Sequence, residues 1–106
     1  MAKYLIQGNY LGEGIKGLLK EGGSSRRAAI EGLANSLGGS VEAVYYAFGD
    51  TDIFVIMDMP DHASVTAAAL MASASGAVAV KTTVLMTPEE VDEAAKKTPS
   101  YRPPGQ

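Results

Sequence analysis

The sequence predicts an α+β domain, an antiparallel β-sheet with helices on one of its faces. Three observations predict it. In residues 40–60, β-branched and aromatic runs lie on either side of Gly49-Asp50, which reads as a β-hairpin closed by a tight turn. Helical periodicity fills the stretch before that hairpin and returns after it. The second arm of the hairpin is apolar on both faces, with Ile53, Val55 and Met57 on one and Phe54 and Ile56 on the other. A sheet with helices on one side only alternates apolar and polar residues, so the second face needs its own cover. The expected cover is a second sheet from another copy of the chain.

Length and composition narrow the function classes. A chain of 106 residues reads as one domain, over residues 1–97, followed by a proline-rich arm over 98–106. A domain of this size buries only about two-thirds of its unfolded surface, so association would add useful burial. The absence of cysteine removes disulfides, thiolate metal sites and thiol nucleophiles, and fits a reducing compartment. With a single histidine, His62, no site can rest on several imidazoles. Net charge is −3 and the nine basic residues are scattered, so no nucleic-acid footprint is present. The opening MAKYLIQGNY is too polar after Ile6 for a signal-peptide core, and no stretch has the continuous large apolar residues of a membrane span. A soluble cytoplasmic protein with no cofactor is the expectation.

Taken in order, residues 3–10 form a first strand with Tyr4, Ile6 and Tyr10 on one face and Leu5, Gln7 and Asn9 on the other. Ile15, Leu18 and Leu19 follow at helical spacing until Gly22-Gly23, where glycine supplies a left-handed stop. Ser24 or Ser25 is the expected cap of a second helical segment, whose apolar stripe is Ile30, Leu33, Ala34 and Leu37. Gly38-Gly39 releases the chain into the hairpin. Asp61 then caps a helix running to about Ser75. Residues 63–80 carry no charge, so this helix lacks a solvated face and is expected to bury against a partner chain. Gly76 ends it, and residues 77–86 read as a last strand, with Lys81 and Thr83 opposite Val78, Val80, Val84 and Met86. Thr87-Pro88-Glu89-Glu90 has the form of a capping box with proline at the first helical position. This order is the ferredoxin-like β-α-β-β-α-β arrangement with a terminal helix added.

Ser25-Arg26, Leu37-Gly38-Gly39, Tyr45-Tyr46 with Phe48-Gly49 leading to Asp52, Met59-Pro60-Asp61, Lys81-Thr82-Thr83 and Met86-Thr87-Pro88-Glu89-Glu90 occur in this order over residues 3–92. Together they resemble the GYD-domain family. Thr51 stands where a tyrosine usually precedes the aspartate. The resemblance implies a ferredoxin-like fold related to dimeric α/β barrels, in which two sheets pack face to face. That neighbouring group includes cofactor-free monooxygenases and small-ligand binders, so one expectation is a homo-oligomeric module that binds a small organic ligand or acts on it as a cofactor-free enzyme. A structural or regulatory oligomer is the other.

Gln7, Tyr10, Tyr45, Tyr46, Asp52 and Lys81 are the candidate ligand residues, placed by this reading in a cleft between the sheet and its partner. Asn9 and Thr83 accompany them on the first and last strands, which are expected side by side at the sheet centre. Tyr45 and Tyr46 point to opposite faces, one toward the helices and one toward the partner. Gly12-Glu13-Gly14-Ile15-Lys16-Gly17 satisfies G-x-G-x-x-G, but a second helical segment follows where a dinucleotide fold needs a parallel strand. Asp50 suits a turn, Asp61 a cap, and Asp58 lies at the far end of its strand from the turn, so no metal site is assigned to them. His62, in the first turn of a helix, reads as a surface residue before it reads as a general base. Arg26 and Arg27 read as solvated charge, with an anionic ligand as the alternative.

Overall fold

Alternation along the strands decides which side of the sheet the helices occupy. A computed structural model describes residues 1–106, and eight elements follow in order. They are β1 (Ala2–Tyr10), α1 (Gly12–Glu21), α2 (Gly23–Ser36), β2 (Ser40–Tyr46), β3 (Ile53–Met59), α3 (His62–Ala74), β4 (Val78–Leu85) and α4 (Pro88–Ala95). The expected series is present, with its first crossover split into two helices. All pairings are antiparallel and the strand order is β2-β3-β1-β4. β1 and β4 are neighbours as expected, but β3 takes the other side of β1, so β4 is an edge and not a central strand.

Ile53, Val55, Met57 and Met59 are buried, while Phe54, Ile56 and Asp58 between them are only half-buried. The buried set joins Tyr4 of β1, Ala34 of α2 and Val65 of α3 in one core. Each large apolar side chain withdrawn there contributes roughly 1.5–3 kcal/mol. The opposite face of the sheet has no covering element. Register places its side chains in rows, and one row runs Tyr45, Phe54, Gln7, Lys81 across all four strands. The next runs Ala43, Ile56, Leu5, Thr83. A register shift between Val41 and Ala43 puts a bulge in β2 beside Glu42.

Two of the expected caps form. Asp61 Oδ1 accepts from the Ser64 amide at 2.7 Å, and Thr87 and Glu90 exchange both bonds of the capping box. The serine cap of α2 does not form. That helix begins at Gly23, so Ser24 and Ser25 already lie inside its first turn. Gly22, at φ 84°, serves both helices instead, its amide donating to the Leu18 carbonyl and its own carbonyl accepting from the Arg26 amide. The hairpin turn also differs from expectation. Residues 47–52 form a longer loop in which Phe48, not Gly49, takes the left-handed conformation at φ 56°. Its ring stacks on Tyr46 with centroids 5.9 Å apart, a contact that helps hold this uncommon backbone state.

The helix without charge lies on the sheet of its own chain, burying Val65 and Ala68. Its outward side exposes Leu70 and Met71. Every residue from Pro88 to Gln106 is exposed, and residues 98–106 contain no helix or strand. The radius of gyration is 16.9 Å, against about 13 Å for a compact chain of this length, because α4 and the arm stand away from the sheet. No helix is long and apolar enough to cross a membrane.

Candidate ligand site

Small residues on α3 leave space that the sheet does not fill. Ala68, Ala69 and Ala72 face Gly8 of β1 and Val78 and Val80 of β4, and Ala29, Ile30 and Leu33 of α2 close the side. Ile6, Ile53, Val55 and Met57 form the floor. The result is a half-open chamber of about 120 Å³ with an apolar wall, and only Tyr10 and Arg26 bring polar groups to it. Tyr10, Arg26, Leu33, Ala72 and Val78 also line a wider outer groove of about 360 Å³ between α1, α2 and α3. Tyr10 and Arg26 therefore stand where chamber and groove meet.

Tyr10 is fixed from behind. Its backbone amide donates to Asp52 Oδ2 at 2.8 Å, while the Asp52 amide donates to the Gly8 carbonyl and to Asn9 Oδ1, both at 3.0 Å. Asp52 is thus a clasp between the end of β1 and the hairpin loop. Burial pushes the Tyr10 phenol above its ordinary pKa, the nearby Tyr46 phenol adds to the push, and the Arg26 guanidinium opposes it. The phenol stays protonated near neutral pH and can donate. Arg26 neighbours the Tyr10 hydroxyl, and its closest anion, Glu21, lies at 3.8 Å, beyond hydrogen-bond distance.

The six sequence-predicted residues do not share one cleft. Tyr10 and Tyr46 face the helices, Gln7, Tyr45 and Lys81 lie in one row of the open face, and Asp52 sits at the strand end. Tyr46 donates to the Gly23 carbonyl at 3.0 Å, which ties β2 to the start of α2. Tyr45 is 71% exposed. Gln7 Nε2 donates to Thr51 Oγ1 at 3.4 Å, so the residue standing in the tyrosine position of the family pattern holds the loop to β1. The GYD-domain model matches residues 4–95. The chain belongs to the GYD-domain family. Comparisons with curated proteins and with solved structures found no match.

In this GYD-domain chain the other motifs find structural uses. A side chain at Gly14 would run into the Ala77 carbonyl, which already accepts from the Leu11 amide, whereas Gly12 and Gly17 face open space. The glycine pattern is explained at Gly14 by close packing of α1 on the start of β4. Asp58 pairs with Lys3 at 3.0 Å, Asp61 caps α3, and no group of three or more His, Asp or Glu side chains converges. Glu42 also bonds Lys3, and these two carboxylates raise the lysine pKa, Glu42 more than Asp58.

His62 holds a role that the sequence reading missed. Its Nδ1 lies 2.6 Å from the hydroxyl of Tyr4, which is otherwise buried, and the two rings meet edge to face. A phenol on a core-facing strand position and a histidine at a helix start was the available signal. Arg26 lines the chamber wall, where its sequence context alone suggests solvated charge.

Proposed function

We propose that this GYD-domain protein is a small-molecule-binding module whose ligand enters the chamber between the sheet and helices α2 and α3. The supporting observation is the apolar chamber with two convergent polar groups, Tyr10 and Arg26, at its mouth. Binding sites are commonly concave, mostly apolar and fitted with a few placed polar groups. On this reading the module works as a homo-oligomer of the dimeric α/β-barrel type, with a second copy on the open sheet face. Half-buried Phe54 and Ile56 on that face lack a covering element. α4 has only eight residues, shorter than the roughly 12–15 at which isolated helices begin to hold in water, so it too gains from a surface to rest on.

A purely structural oligomer is the second reading. It is favoured by the chamber's 120 Å³, below the roughly 300–1,000 Å³ of drug-sized sites. Native mass spectrometry of freshly purified protein tests the two together. The binding reading expects an oligomer carrying a small adduct, and expects Ala69→Phe, which fills the chamber, to lose the adduct. An oligomer with no adduct in either protein favours the structural reading, and a monomer removes the assembly common to both.

A further inference from the structure

The polar groups of the chamber are unbalanced. Arg26 offers a guanidinium fork whose neighbours are the Tyr10 hydroxyl and, at 3.8 Å, the Glu21 carboxylate, and the Tyr10 phenol beside it offers a second donor. No carboxylate, amide or hydroxyl other than that phenol lines the chamber. A complementary ligand must therefore bring acceptors to the mouth and an apolar body to the interior. From these placements we infer that the site takes a small monocarboxylate, with its carboxylate on the Arg26 guanidinium and Tyr10 hydroxyl and its hydrocarbon part in the chamber.

Four further features sharpen this class. The guanidinium fork matches a carboxylate with two parallel bonds, which makes charge-assisted recognition both strong and directional. Glu21 is half-exposed and beyond hydrogen-bond distance from Arg26, so an entering carboxylate displaces a weak contact. The outer groove carries Glu13 as well as Glu21. A second anionic group on the ligand would either enter the apolar chamber or face these carboxylates, so dicarboxylates and phosphate monoesters are disfavoured. Size gives the other bound. A cavity of about 150 Å³ lined by aliphatic and aromatic side chains holds a benzene molecule, so the half-open 120 Å³ chamber suits one ring or a short branched chain.

This inference rests on the chamber being a binding site, and the experiment separates the two. Methyl NMR of the full chain follows Ile30, Val55 and Val80 during titration with benzoate, with toluene as its uncharged counterpart and benzene-1,3-dicarboxylate as the doubly charged one. Benzoate is expected to bind most tightly. Arg26→Met, which keeps the stem but not the charge, should weaken benzoate by roughly ten- to a hundredfold while leaving toluene unchanged. Arg26→Lys should retain part of the benzoate affinity. Toluene binding as tightly as benzoate, or benzoate binding that ignores Arg26→Met, overturns the carboxylate class and leaves an apolar site. If neither probe moves the three methyl groups, the chamber reading falls with it.

Discussion

At the residue scale, two polar contacts stand out because each fixes a position that the core depends on. Removing the Asp52 carboxylate leaves the Tyr10 amide without its acceptor, so Asp52→Ala is expected to lower stability by about 1–3 kcal/mol in urea unfolding. Asp52→Asn retains an acceptor and should recover most of that. A near-neutral Asp52→Ala would mean that the clasp does not hold the strand end. His62→Ala leaves the buried Tyr4 hydroxyl unpaired, whereas the double variant with Tyr4→Phe removes both partners. The cycle should show coupling of about 0.5–1.5 kcal/mol, and additive losses would dissolve the pair. Asp61 adds a pH dependence. Its bond from the Ser64 amide holds the carboxyl below its ordinary pKa, so the cap contributes above the usual carboxylate range and is lost as pH falls through the depressed value. Asp61→Asn should flatten the acid limb of thermal stability, and an unaltered limb would show that the cap is not what titrates.

At the element scale, local rules carried far. Period two in residues 53–57 sorted β3 into its two faces, though with both apolar it did not say which faces the helices, and Asp61 and Thr87 announced their helices because a cap is chemistry within three residues. The left-handed Phe48 was not legible, since aromatic residues rarely adopt that state and the stacking on Tyr46 is a tertiary contact. The chamber was hidden for a similar reason. It arises where the alanines of α3 meet Gly8 and α2, and no single element contains that juxtaposition. One separation was readable, however, because alternation already set Gln7 and Tyr10 on opposite faces, which excludes a cleft shared by both. Gly14 offers a direct check at this scale. Gly14→Ala drives a methyl group into the Ala77 carbonyl, so α1 must shift and stability should fall by about 1–3 kcal/mol. A variant that unfolds like the parent would mean that α1 is not seated there.

At the scale of the whole molecule, the open face and the outward side of α3 make different demands. Ala69 lines the chamber, so a charge there tests the interior; Leu70 and Met71 are the outward residues that would test a contact through α3. Ile56→Asp places a charge in the middle of the uncovered sheet face. Under the proposed assembly, light scattering should fall to the mass of one 11.0 kDa chain, and an unchanged mass would place the contact elsewhere. The sheet also ends in two strands, β2 and β4, each with one unpaired edge. Such edges invite end-to-end polymerisation into fibres, and bulges and lysines are common means of discouraging it. Here β2 carries its bulge beside Glu42, and β4 carries Lys81 near its midpoint. Growth by adding strands is thereby opposed on both sides, so the proposed assembly would close through sheet faces and not extend through sheet edges.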